Sequence, residues 1–157
     1  GLSRQLGIPR KEAARYIELY FARYPGVQAF LKKCVEDARR EGCAKTLMGR
    51  RREMPELASS NYNTRSFGER VAMNMPIQGT AADIIKLAMV RVHRALSEGG
   101  FEAKLILQIH DELIIDCPLG EAARVEELLV SCMENVMELA VPLRADVKTG
   151  HSWYDTK

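Results

Sequence analysis

No apolar run in this chain approaches the about 18 residues that a membrane-spanning helix needs, and the N-terminus lacks the basic-then-apolar layout of a secretory leader. Neither an anchor nor a leader is therefore expected, and no membrane partner. The four cysteines, Cys34, Cys43, Cys117 and Cys132, form no C-x-x-C pair and have no histidine at zinc-finger spacing. That argues against a thiolate metal knuckle and a disulfide framework, and leaves reduced, mostly buried thiols in a cytosolic setting as the expectation. An excess of one charge is also missing: 23 Lys and Arg against 21 Asp and Glu leave a net charge of +2. Composition alone does not announce a nucleic-acid binder, so any basic footprint must be local. No internal repeat and no low-complexity tract is present, and the opening GLSRQL has no initiator Met, as expected of a piece of something longer.

What is there describes a soluble globular chain: 157 residues, 46% apolar and 28% charged, enough for one domain of ordinary size. Apolar residues at Ala13, Ala14, Ile17, Tyr20 and Phe21, then at Val27, Phe30, Leu31, Cys34, Val35 and Ala38, keep helical spacing on either side of Pro25-Gly26. The pattern predicts a helical hairpin turning there, with Gly42 ending its second arm. Thr46-Leu47-Met48 is expected to be a short extended piece leading into Gly49 and three arginines, and 55–64, PELASSNYNT, a polar surface loop. A helix over Ser66–Met75 should kink or stop at Pro76, which has no backbone donor. It should restart at the capping pattern Thr80-Ala81-Ala82-Asp83 with an apolar stripe of Ile84, Ile85, Ala88, Val92, Ala95 and Leu96. Gly99-Gly100 stops it. Two strands, Ala103–Ile109 and Glu112–Cys117, follow, then an amphipathic helix through Val125, Leu128, Leu129, Cys132 and Val136, and a last strand over Pro142–Lys148.

The chemistry concentrates in ILQIHDELIID, residues 106–116, where His110, Asp111 and Glu112 interrupt two apolar runs. A two-residue hairpin turn normally recruits Asn-Gly or Asp-Gly, and here the tip is His-Asp with no glycine beside it. A position that breaks a local rule points to function or strain, and an aspartate at a hairpin tip is a hard oxygen donor of the kind Mg²⁺ takes. The competing reading is a solvated turn whose three polar residues face water. A catalytic metal pair also needs carboxylates from two segments. Asp83, Asp116 and Asp146 are the candidates, and none has a convincing position. Arg70, Asn74 and Gln78, at i, i+4 and i+8, would form one polar helix stripe suited to a groove, or simply a solvated face.

LILQIHDELIIDCP resembles the third polymerase motif of family A DNA polymerases, the bacterial DNA polymerase I type. MGRRREMPEL, SSNYNTRSFGERVAMNMPIQGTAADIIKLAM and the ending GHSWYDTK resemble the same proteins at matching spacings, over essentially the whole of Gly1–Lys157. The resemblance implies an α+β fold, mostly helical, with a small antiparallel sheet made of the hairpin at about 103–117 and the strand at about 142–148. Residues 1–44 would be a helical hairpin from the back of the fingers and 45–157 the C-terminal part of an incomplete palm. The first polymerase motif, with its aspartate, and the nucleotide-gripping fingers helix would lie upstream of Gly1.

The implied activity is template-directed DNA synthesis, transfer of a nucleotide from dNTP to a primer 3′-hydroxyl, with the 157 residues alone inactive. Asp111 would bind Mg²⁺ in a two-metal mechanism whose second carboxylate lies outside this chain, with Glu112 a weaker helper because neighbouring strand residues face opposite ways. His110, and Gln108 likewise, would touch the primer terminus. Asn74 and Gln78, with Arg70, would probe the minor-groove edges of base pairs, where every pair offers acceptors. Arg50, Arg51 and Arg52 would contact template or primer phosphates, with at least one of them packed structurally. Glu53 departs from the family, in which an aromatic residue is common after the arginines, and so bears on any DNA contact there. Trp153 and Tyr154 are expected to pin the C-terminus onto the palm. Implied partners are primer-template DNA, dNTP and the N-terminal remainder of the polymerase, in the cytoplasm and at the nucleoid of a bacterium. A non-catalytic nucleic-acid-binding module on the same scaffold, and a metal hydrolase built on His110, Asp111 and Glu112, are the alternatives.

Overall fold

The computed structural model describes residues 1–156; Lys157, the last residue of the GHSWYDTK ending, lies outside them. The fold is α+β, mostly helical, with two small antiparallel sheets of two strands each. The chain divides into two compact units, Gly1–Ile77 and Gln78–Lys157.

In the first unit a short helix, α1 (Leu2–Leu6), precedes α2 (Arg10–Arg23) and α3 (Pro25–Glu41). The turn expected at Pro25-Gly26 is not there: Tyr24 alone separates the helices, and Pro25 opens α3. Proline suits that position because its missing N–H is one of the donors a helix start leaves unpaired, and its φ is already helical. The apolar residues of α2 and of early α3 do not form a core either. Only Ala13 and Ala38 are buried, while Ile17, Tyr20, Val27 and Phe30 are exposed.

Gly42 ends α3 in the left-handed conformation, as its sequence position implies. The strand that follows is β1 (Cys43–Lys45), antiparallel to β2 (Arg51–Glu53). The Thr46-Leu47-Met48 stretch is therefore the connection and not the strand. The Thr46 N–H donates to the Arg50 carbonyl at 2.9 Å and the Gly49 N–H to the Thr46 carbonyl at 3.0 Å. Gly49, at φ 82°, supplies the backbone conformation this return requires.

The predicted 55–64 loop is partly helical. Pro55–Ala58 is a 3₁₀ turn, and Asn61 Oδ1 accepts the N–H groups of Asn63 and Thr64, so that α4 (Tyr62–Glu98) begins four residues before the expected Ser66. Nor does α4 stop at Pro76; it runs for 37 residues with the proline inside. One missing donor is tolerated because each further residue adds a backbone bond and both flanks are packed. Ala72 is buried before the proline, and Ile85, Ala88 and Val92 after it. Thr80–Asp83 is accordingly mid-helix and does not begin a helix, and Asp83 is buried. The core of this unit is Ala38, Ala44, Met54, Leu57 and Ala72.

In the second unit the α4 stripe behaves as its periodicity predicts, and the helix ends at Glu98 before Gly99-Gly100. Val92 and Leu96 pack with Ala103 and with Val125 and Leu129 of α5 (Ala122–Glu134). Strands β3 (Lys104–Ile109) and β4 (Glu112–Asp116) form the expected hairpin. The strand expected over Pro142–Lys148 does not form among the described residues. Its backbone finds no ladder; the Ala145 N–H goes instead to the Glu134 carboxylate at 3.1 Å, and Val147 rests against the core.

All four cysteines are free, but Cys43 alone is buried. Burial pushes the Cys34, Cys117 and Cys132 thiols up, with Asp37 adding to the effect at Cys34 and Glu121 at Cys117. Trp153 and Tyr154 are 39% and 84% exposed. Among the described residues no helix is long and apolar enough to cross a membrane.

Candidate functional site

The β3–β4 hairpin holds its tip out from a packed base. Leu113, Ile115 and Cys117 lie against the core of Val92, Leu96, Ala103, Val125 and Leu129. The start of β3 is fixed by Glu121, whose carboxylate accepts the N–H groups of Glu102 and Ala103 at 3.1 Å. Arg124 covers the Phe101 ring, 4.4 Å from its centroid. Sequence reasoning missed both supports; an acidic residue entering a helix after Pro118-Leu119-Gly120 was the available signal. The register slips between Leu105 and Leu107, which leaves Ile106 as a bulge, 60% exposed. The hairpin is thus half-buried.

At the tip Ile109 pairs with Glu112, leaving His110-Asp111 as a two-residue turn. His110 has φ 52° and is the one described non-glycine residue with positive φ. An L-residue held in the left-handed region costs about 1–2 kcal/mol, so the missing glycine of the turn appears here as backbone strain. Gln108 offsets part of it: its Nε2 donates to the His110 carbonyl at 2.6 Å. Gln108 therefore braces the turn from within the strand, a role its spacing did not suggest. His110, Asp111 and Glu112 are all exposed.

Asp111 and Glu112 offer hard oxygen donors, which fits a divalent cation in kind. In number the set is incomplete, since no group of three His, Cys, Asp or Glu side chains among the described residues could enclose a metal ion. Asp116 sits at the far end of β4 opposite Lys104, roughly 17 Å of strand from Asp111. Asp83 is buried in α4, and Asp146 is exposed outside any strand.

The other predicted residues lie in two further places. Arg70 and Asn74, in the first unit, and Gln78, in the second, are exposed positions of α4. Arg70 donates to Ser66 Oγ at 3.2 Å and lies over the Phe67 ring; Asn74 and Gln78 keep their amides free of side-chain bonds to the described residues. Arg50, in the connection between β1 and β2, is exposed, and its N–H donates to Thr46 Oγ1 at 3.1 Å. Arg51 and Arg52 lie on β2, each near a carboxylate: Arg51 to Glu53 at 3.6 Å, Arg52 to Glu56 at 4.0 Å.

Comparison with known proteins gives these positions a context. The profile of DNA polymerase family A matches residues 1–155. DNA polymerase I of Bacillus subtilis is 50% identical and that of Lactococcus lactis subsp. lactis 49% identical, each over the whole chain. The solved POL domain of Pol1 from M. smegmatis, in complex with DNA primer-template and dNTP, superposes with a TM-score of 0.93 at 44% identity. It covers 99% of this chain and 28% of that one. The chain belongs to DNA polymerase family A. It spans 18% of the length of the DNA polymerase I relatives it matches.

Proposed function

We propose that this chain is the C-terminal part of a DNA-directed DNA polymerase of the DNA polymerase I type, acting in template-directed transfer of a nucleotide from dNTP to a primer 3′-hydroxyl. The observation that carries the reading is the end-to-end match to bacterial DNA polymerase I proteins, which includes the hairpin bearing His110, Asp111 and Glu112. The solved relative bound to primer-template and dNTP supports the same substrates here. Residues 1–44 are assigned to the back of the fingers and 45–157 to the palm.

Asp111 is the residue assigned to a divalent cation, Mg²⁺ by its oxygen chemistry, together with a carboxylate supplied by the rest of the polymerase. Bound there, the cation supplies positive charge that acidifies the primer hydroxyl and offsets charge on the transferred phosphate. Asp111 projects from a two-residue turn whose backbone is braced at His110 by the Gln108 bond. Glu112 enters the strand ladder next to it and assists from there. His110 hydrogen-bonds near the primer terminus; Gln108 acts on the DNA chiefly through the turn it holds. Asn74 and Gln78 offer amide donors to minor-groove acceptors, with Arg70 on the same helix, and the run Arg50, Arg51, Arg52 meets phosphates with at least one of the three packed structurally. A DNA substrate of a bacterial enzyme implies a cytoplasmic, nucleoid-associated setting.

The test is Asp111→Asn in the intact enzyme. The change keeps size and hydrogen bonding while removing the charge that holds the cation. Nucleotide addition in single-turnover experiments should fall on the order of a thousandfold, about 4 kcal/mol of transition-state stabilisation, while primer-template affinity changes little. A solvated turn without function would accept Asn readily, so near-normal rates at saturating Mg²⁺ would overturn the assignment. The 157 residues alone bring one such carboxylate to the tip and are expected not to extend a primer.

A further inference from the structure

The densest positive charge of the chain is not bare. Three cations of the β1–β2 hairpin each have a carboxylate: Lys45 with Glu41 at 2.5 Å, Arg51 with Glu53 at 3.6 Å and Arg52 with Glu56 at 4.0 Å. In the strand register Lys45 lies directly opposite Arg51, so these two like charges share one face, and Glu53, two residues along β2, shares it with them. Arg52 projects from the other face, opposite Ala44.

The two arginine pairs differ in a way that assigns them different work. Glu53 is 73% and Arg51 58% exposed, so water solvates both partners and either can be exchanged at little loss. Glu56 is 23% exposed and its Oε2 is enclosed with no hydrogen-bond partner. A largely enclosed carboxylate with one unpartnered oxygen depends on the nearest positive charge, and removing Arg52 would leave it uncompensated.

We propose that Arg51 is the exchangeable phosphate contact of this hairpin, that Glu53 is an acidic competitor occupying it until a phosphate displaces it, and that Arg52 is kept by Glu56 as a structural charge. This rests on the reading that the chain binds primer-template DNA. Glu53 then sets how tightly the hairpin holds the backbone: it must give up Arg51 and it repels the incoming phosphate. The gain is a contact that forms and releases readily as a copying enzyme moves along its duplex. The alternative, that Glu53 merely relieves the Lys45–Arg51 repulsion within the hairpin, predicts a loss of stability on its removal and no change in DNA affinity.

The experiment measures the binding of a primer-template duplex by the intact protein over a range of salt concentrations. Glu53→Gln should tighten binding by up to about fivefold near 50 mM salt, since two unit charges about 4 Å apart in water are worth about a factor of five. It should also steepen the plot of log affinity against log salt by up to about one unit, the increment of one phosphate contact. Arg51→Gln should flatten that slope by about one unit, whereas Arg52→Gln should lower the thermal midpoint and leave the slope nearly unchanged. Glu126→Gln, on the exposed face of α5, makes the same change in net charge and controls for it. If Glu126→Gln tightens binding as much as Glu53→Gln, or if Glu53→Gln lowers the thermal midpoint without tightening, the competitor role is overturned. If Arg51→Gln leaves the slope unchanged while Glu53→Gln does nothing, the phosphate-contact reading falls with it.

Discussion

His110 carries two demands that conflict. On the proposed function its imidazole is wanted at the primer terminus, while its backbone holds a conformation that glycine would adopt without strain. His110→Gly removes about 1–2 kcal/mol of left-handed strain and adds back about 0.5–1 kcal/mol of backbone entropy. The variant should be as stable as the parent or up to about 1.5 kcal/mol more stable in urea unfolding, yet incorporate nucleotide more slowly. A variant that loses both stability and activity would make the histidine a structural support. The tip triplet was legible in the sequence because it broke the turn rule. The bond from Gln108 to the His110 carbonyl was not, since a side chain two residues away can face the ligand or the turn with the same spacing. Thiols show the same limit. The sequence marked the four cysteines as unpaired, while only packing decides that burial raises Cys34, Cys117 and Cys132. At pH 7.5 these three should alkylate more slowly than a free cysteine, with rates recovering in denaturant, because less of each thiol is thiolate.

Among the elements, α4 departs most from its pattern. Its start was hidden because Asn61 caps a polar stretch with no apolar period, and its continuity because a proline normally ends a helix. Gly68 shows what the first turns of α4 pack against. A Cβ there would lie 2.9 Å from Glu56 Cβ and 3.2 Å from the Leu57 backbone nitrogen, so the helix approaches the Pro55–Ala58 turn more closely than alanine permits. Gly68→Ala would add about 1 kcal/mol of helix propensity but overpack by about 1–3 kcal/mol. A net loss of stability in urea unfolding is the expected outcome, and a gain would mean that the 3₁₀ turn yields. The Pro142–Lys148 stretch errs the other way: it alternates like a strand, but a strand exists only where another backbone completes its ladder.

For the whole molecule, the feature that matters most is apolar surface without a cover. In the first unit Tyr16, Ile17, Leu19, Tyr20, Tyr24, Val27 and Phe30 are all exposed along α2 and α3 and the residue between them. So many large apolar side chains left exposed on two consecutive helices favour association. The isolated 157-residue chain should therefore self-associate at micromolar concentration and bind an apolar dye, as light scattering and fluorescence would record. A monomer that binds no dye would count against the chain being one part of a larger polymerase.

By itself the sequence determined the family, through motifs whose residues and spacings are chemical requirements, and it determined the elements whose apolar period is closed within the chain. The α4 stripe, the β3–β4 hairpin and α5 are of that kind, because each buries its own apolar face against the others. Only the tertiary structure decided matters that depend on which neighbour meets a group. These include whether the apolar side chains of α2 and α3 are covered and whether Pro76 ends a helix. They also include which carboxylate lies beside each arginine, and whether a glutamine braces a turn. Periodicity fixes which face a residue occupies, whereas the energy of that face is set by what lies across from it, and this is a property of distant segments brought together.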